Sequence, residues 1–190
     1  SKESREDSQH LRNRFHSIMV GVNTVIEDNP ELTCRINDGK KLIRIIVDSN
    51  LRIPLESKVL TNSDKAAIVV TTLKSDKEKK KKLRSMGIKV IEVADKDNRV
   101  NLKELVKRVG EEGIDSILIE GGGTLNFSAL EERIVDKVRF YIAPKIIGGQ
   151  SSRNSIAGKG FFKLDDAVRL EDINYRTIGE DLVLEGYVAK

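Results

Sequence analysis

At 190 residues the chain suffices for one well-buried domain and is short for two. Charged residues make up 34% and aromatics 4%, with no Trp, and the formal charge is +4; Lys and Glu alternate over most of the length, which argues against disorder and against the concentrated, aromatic-studded basic face of a nucleic-acid binder. No apolar run approaches the roughly 18 residues of a membrane span, no signal peptide is evident, and the single Cys34 excludes an intrachain disulfide framework and a cysteine metal cluster, so a cytosolic protein is expected.

Residues 1–15 are polar with Leu11 and Phe15 at i, i+4 spacing, which predicts a surface helix. The chain switches abruptly to Ser17–Gly21, a buried strand. A domain seldom begins this way, so an N-terminal strand is expected to be absent from the sequence in hand. Val22–Asp28 is a short helix stopped by Asn29-Pro30, and Leu32-Thr-Cys-Arg35 follows. Asn37-Asp-Gly39 is a turn signal. Leu42–Val47 is the second strand, closing on Asp48-Ser49, with an irregular segment from Ile53-Pro54.

Ala66–Thr71 is a third strand. Ser75–Met86 holds four lysines at 79–82 and reads as a solvated helix, because a charge run on a helix usually faces water. Ile88–Val93 (strand), Leu102–Val109 (helix) and Ile114–Ile119 (strand) continue a rhythm that predicts a mostly parallel sheet covered by helices. Lys137–Ala143 is a strand ending at Pro144, Gly148-Gly149 a turn, and residues 158–162 a loop. Val168–Tyr175 and Asp181–Val188 alternate around Ile178-Gly179 as an antiparallel hairpin closing the sheet. The fold class is therefore α/β, with a mixed, mostly parallel sheet, helices on its faces and antiparallel strands at the C-terminal end. Residues 1–190 form a single domain without repeat or linker.

The most informative stretch is Ile117-Leu-Ile-Glu-Gly-Gly-Gly-Thr-Leu-Asn126. A strand that breaks at glycine and re-enters as the helix Leu125–Arg133 leaves unpaired N–H groups at the helix start. Those donors and the helix dipole suit a phosphate, and missing Cβ atoms let it approach the main chain. The alternative is a glycine turn needed only for tight packing. The stretch is not a P-loop, since no Lys follows Thr124, and it does not match G-x-G-x-x-G.

Four segments, Gly21-Val-Asn-Thr-Val-Ile-Glu-Asp-Asn-Pro-Glu-Leu-Thr33, Val47-Asp-Ser49, Ile119-Glu-Gly-Gly-Gly-Thr-Leu-Asn126 and Ile142-Ala-Pro-Lys-Ile-Ile-Gly-Gly149, resemble in order the riboflavin-biosynthesis pyrimidine reductases. The resemblance covers nearly the whole chain and is closest to the stand-alone archaeal members. It implies a dihydrofolate-reductase-like fold, a homodimer with Tyr141, Tyr175 and Tyr187 as candidate interface aromatics, and NADPH as cofactor, with NADH the other candidate. No zinc deaminase ligand set accompanies it. The chain departs from the family in lacking the usual opening strand with its Leu-Asp-Gly-Lys-like end. It also carries Asp28-Asn29-Pro30 where Asp-Asp-Pro is common.

By resemblance, Gly121, Gly122, Gly123, Thr124, Leu125 and Asn126 hold the cofactor pyrophosphate, and Thr24, Asp28 and Ser49 also contact the cofactor. Arg52 has two readings, a partner for the 2′-phosphate or a solvated surface arginine. Arg12 and Arg35 match positions that grip the substrate's ribose 5-phosphate, a task suited to forked guanidinium donors. Leu32 and Glu120 match substrate contacts. Their other readings are core packing for Leu32 and a helix-start carboxylate for Glu120. His10 and His16 read as structural or solvated.

The implied reaction is hydride transfer from the nicotinamide to C1′ of 2,5-diamino-6-(ribosylamino)-4(3H)-pyrimidinone 5′-phosphate, opening the sugar to a ribityl chain. The deaminated 5-amino-uracil phosphate is the alternative substrate, and another dihydrofolate-reductase-like activity the alternative enzyme. Asp28 and Glu120 are the candidate proton donors, beside water or a residue outside this chain.

Overall fold

The structure, a computed structural model, describes residues 1–36, 41–62, 66–149, 152 and 154–189. The turn expected at Asn37–Gly39 lies outside the described residues. Helix α1 (Lys2–Arg14) is capped by Ser1, whose hydroxyl accepts from the Ser4 N–H at 3.2 Å. Then come β1 (Ser17–Gly21), α2 (Val22–Asp28), β2 (Ile43–Val47), α3 (Lys58–Thr61), β3 (Ala67–Thr72), α4 (Lys77–Ser85) and β4 (Lys89–Val93). A small hairpin, β5 (Asp95–Lys96) and β6 (Arg99–Val100), precedes α5 (Leu102–Glu111). Strand β7 (Ile117–Gly121), α6 (Gly123–Glu131), β8 (Lys137–Ile142), a 3-10 turn at Leu164–Asp166, β9 (Leu170–Ile178) and β10 (Asp181–Val188) complete the order.

Five strands form a parallel sheet in the order β4-β3-β2-β1-β7. Its inner strands are apolar runs because both faces are covered: β3 is buried at every position, and β1 at all but Gly21. One face packs Ile18, Val20, Ile46 and Val69 against Val25, Leu60 and Leu83 from the helices. The other packs Met19, Ile45 and Val70 against Leu105 and Val109 of α5 and Ala129 of α6. Leu102, Leu105 and Val109 recur at helical spacing and are all buried. Truncating Leu105 to Ala would cost about 2–5 kcal/mol.

The mixed α/β arrangement is present, with one difference from the expected closure. The C-terminal strands make a separate antiparallel sheet, β8-β10-β9, rather than extending the parallel one. Among the described residues, β7 pairs only with β1 and β8 only with β10, so each keeps one unpaired edge. Two further elements were not legible. Lys58–Thr61 is helical inside the segment read as irregular, and Asp95–Val100 is a hairpin.

Boundaries moved near glycines. Strand β7 begins at Ile117 because Gly113, at φ 78, turns the chain after α5 and Ile114 drops into the core instead. It then runs on to Gly121, which pairs with Val20. The lysine run is not uniformly solvated either. Lys80 is 4% exposed, and its ammonium donates to Glu92 Oε2 at 2.7 Å and to the Leu73 carbonyl at 3.0 Å. Among the described residues no helix is long and apolar enough to cross a membrane.

Candidate active site

The carboxyl ends of β1, β2 and β7 open onto one cleft of about 1180 Å³. Parallel sheets place ligands at that end, where helices start with their N–H groups turned inward. Helix α6 begins at Gly123 with Gly122 as its cap residue; no side chain caps it and its first turn holds no acid. Gly122, Gly123, Thr124 and Leu125 all line the cleft. This helix start is therefore free to receive a negatively charged ligand, and it holds no carboxylate to repel one.

The three glycines differ. Gly121 has φ 112, a backbone state that disfavours a side chain. Gly122 has an ordinary φ of −64, and an added Cβ would meet only Thr24 Oγ1, at 3.4 Å. Gly123 is packed: a Cβ there would lie 2.5 Å from the Asn154 carbonyl and 3.0 Å from Ala157, whose N–H donates to the Gly123 carbonyl. Asn126 secures the same loop by donating from Nδ2 to the Ser155 carbonyl at 2.8 Å, and neither it nor Gly121 lines the cleft. The motif thus divides into a packing half and a half that faces ligand space.

Opposite the glycines, Thr24 and Asp28 lie one turn apart on α2 and both line the cleft. Ser49 also lines it and accepts the Val100 N–H on its hydroxyl at 3.1 Å. Arg52 lines it with Nη2 donating to Asn23 Oδ1 at 2.6 Å. The loop carrying these two residues is set by Asp48, which is fully buried and accepts the Ile53 N–H at 2.8 Å.

Glu120 is aimed by a β-bulge. Met19 pairs with Ile119 and Val20 with Gly121, so Glu120 is the extra residue. Both its oxygens accept from Arg12, at 2.7 Å from Nε and 2.5 Å from Nη2. Arg12 Nη1 also donates to the Thr33 carbonyl at 3.0 Å. The pairing holds the Arg12 guanidinium above its ordinary value, chiefly through the Glu120 hydrogen bonds and against the opposing effect of burial. The Arg35 N–H donates to Gln9 Oε1 at 2.9 Å, which ties the 33–35 segment to the helix bearing Arg12. Arg12 and Glu120 are thus joined, the Arg35 backbone is tied to the same helix, and of the three only Glu120 is among the residues lining the cleft.

Leu32 is different. Its side chain is 5% exposed within the core, and its φ is 52. His16 lies at the opposite end of the strands, with Nδ1 3.4 Å from Asp115. The sequence reading missed Asp48, Asn23 and the β5–β6 hairpin as parts of the site. Adjacent Asp97-Asn98 between charged residues was the one available signal for the hairpin.

Comparison with known proteins agrees with this architecture. The RibD C-terminal domain family matches residues 1–184. The riboflavin biosynthesis protein RibD of Actinobacillus pleuropneumoniae is 40% identical over 182 residues, 96% of this chain and 48% of that protein. The 2,5-diamino-6-ribosylamino-4(3H)-pyrimidinone 5′-phosphate reductase of Methanothermobacter thermautotrophicus is 38% identical over 178 residues, 92% of this chain and 81% of that protein. Among solved structures, Acinetobacter baumannii RibD superposes with a TM-score of 0.80 at 25% identity, covering 100% of this chain and 51% of that one. The chain spans about half the length of the RibD relatives it matches. By sequence match over nearly its whole length, and by a fold that carries a glycine-opened helix at the ligand end of a parallel sheet, the chain belongs to the RibD C-terminal domain family.

Proposed function

We propose that the chain is an NADPH-dependent reductase of riboflavin biosynthesis, converting the ribosylamino group of 2,5-diamino-6-(ribosylamino)-4(3H)-pyrimidinone 5′-phosphate to the ribitylamino form. The observation that carries this reading is the uncapped, acid-free start of α6, which faces the same cleft as Thr24, Asp28 and Ser49. A relative at 38% identity bears the name of this activity. When bound, the nicotinamide supplies the hydride donor for C1′.

The chain's own residues do the rest. The first N–H groups of α6 bind the pyrophosphate, and the Gly122 surface admits it to the main chain. Arg12 and Arg35 bind the sugar 5-phosphate, and Glu120 accepts from amino groups of the pyrimidine. These contacts convert an encounter of two reactants into an oriented one. Asp28 and Glu120 both line the cleft, and they are the two proton-donor candidates among these residues. Leu32 contributes through its backbone and its packing rather than an exposed side chain.

Assaying NADPH oxidation with the diamino-pyrimidinone and amino-uracil phosphates side by side tests the assignment. Faster turnover of the diamino compound is expected. Faster turnover of the uracil compound would reassign the substrate, and turnover of neither would refute the reading.

A homodimer is part of the same proposal. Helix α1 covers the charged face of the antiparallel sheet, where Asp7 meets Arg139 and Tyr141. The opposite face leaves Tyr175 72%, Ile173 53% and Ile142 49% exposed, an apolar surface suited to a second copy.

A further inference from the structure

We propose that the β5–β6 hairpin is the element that selects a 2′-phosphorylated cofactor, with Arg99 and Lys96 as the side chains that read the 2′-phosphate. This rests on the cofactor reading above and names the specificity device within it.

The hairpin's geometry presents the two cations together. Its central residues Asp97 and Asn98 have φ 52 and 60, the left-handed pair that matches strand twist in a two-residue turn. Lys96 and Arg99 are consequently partners in register, and directly opposed residues project from the same face of a hairpin. Both line the cleft that the α6 start also lines.

The hairpin is fixed rather than free-standing. Val100 is 3% exposed, its N–H donates to Ser49 Oγ at 3.1 Å, and the Asn101 N–H donates to the Ala94 carbonyl at 3.3 Å. Ser49 closes the β2 end of the cleft, so the same hydroxyl that marks the cofactor side also sets the position of the two cations.

The surrounding charges leave these two cations available. Glu131 is held by Lys159 at 2.7 Å, and Asp95 by Lys74 at 3.0 Å. Glu132 caps α5, accepting from the Leu102 and Lys103 N–H groups at 3.1 and 3.3 Å. Asp97, at the turn, is the remaining acid on the hairpin. Among the described residues Arg99 and Lys96 make no ion pair or side-chain hydrogen bond, and Arg52 gives one of its N–H groups to Asn23. A phosphate monoester dianion matches an arginine fork with a lysine beside it, while a bare 2′-hydroxyl gives those cations little to bind.

The test is isothermal titration of NADP⁺ and NAD⁺ into the wild type and into Arg99→Ala, Lys96→Ala, the double variant and Arg52→Ala, with thermal melting of each. The wild type should bind NADP⁺ the more tightly, with a preference that shrinks as salt is raised. The double variant should weaken NADP⁺ by about tenfold or more and leave NAD⁺ and the melting temperature unchanged. Equal binding of both dinucleotides by the wild type would overturn the hairpin assignment while the nicotinamide site stands. So would a double variant that keeps the full preference, or a preference that collapses only in Arg52→Ala. A wild type that binds neither dinucleotide would overturn both.

Discussion

Arg12 and Glu120, 108 residues apart, meet in a two-pronged pair, with Nε and Nη2 of the guanidinium on separate carboxylate oxygens. With Nη1 on the Thr33 carbonyl, three of the five N–H groups of Arg12 are used and two remain for a phosphate. Under the proposed function, the pair would position a substrate clamp without exhausting it. Arg12→Lys keeps the charge but loses the fork, so KM for the phosphorylated substrate should rise about tenfold or more while NADP⁺ affinity is unchanged. An unaltered KM in steady-state kinetics would remove Arg12 from the substrate site.

The glycine stretch gives two opposite outcomes from the same substitution. Gly122→Ala meets almost nothing within the fold, so its melting temperature should stay near the wild type while NADP⁺ binding weakens by more than about tenfold. Gly123→Ala must push back the Asn154–Ala157 loop and should cost about 1–3 kcal/mol of stability. Thermal unfolding and NADP⁺ titration on both variants separate these effects. A stable Gly122→Ala that binds NADP⁺ normally would make the whole stretch packing.

These contrasts show what a linear reading can reach. The strand–helix rhythm and the glycine-to-helix break are local, so periodicity and glycine positions revealed them directly. The division of labour among Gly121, Gly122 and Gly123 depends on a loop some 30 residues away, and no local pattern encodes it. Arg12 sits in a segment whose own pattern predicts only a surface helix, and its suggested role comes from the four-motif resemblance, because its partner Glu120 lies on a distant strand. The four lysines at 79–82 misled for a related reason: Lys80 turns inward because Glu92 on β4 and the Leu73 carbonyl are there to receive it.

That inward turn predicts a pH-dependent contribution to stability. Hydrogen bonds from Lys80 and then Arg84, the latter at 2.7 Å, hold the Glu92 carboxyl below its ordinary value of 4.5. A lowered native pKa means the unfolded chain takes up the proton first on acidification. The stabilisation is then complete above about pH 4.5 and is lost as pH falls through the native value. Chemical denaturation of wild type and Glu92→Gln should show a gap at pH 7 that narrows in acid. Lys80→Ala should likewise lower the melting temperature more than Lys81→Ala, whose lysine is solvent-exposed. A constant gap across pH would mean that the pair contributes no net stability.

The antiparallel sheet makes a sharper prediction about assembly than its tyrosines alone did. Register pairs Phe140 with Leu184 and Leu184 with Tyr175, while Ile142 pairs with Leu182, so one face is apolar. Alternation sends Arg139, Tyr141 and Glu185 to the other face, where Tyr141 donates to Asp7 at 2.6 Å. Tyr187 pairs with Lys137, whose ammonium lies 5.2 Å from the ring centroid, so it too is engaged within the chain. Of the three candidate tyrosines, Tyr175 is thus the one poised for a second copy. Tyr175→Asp would bury an unpaired charge in the proposed interface and should convert the proposed dimer to a monomer in light scattering at micromolar concentration, whereas Tyr187→Asp should leave it intact. A monomeric wild type, or a dimer that survives Tyr175→Asp but not Tyr187→Asp, would show that the apolar face is not where the copies meet.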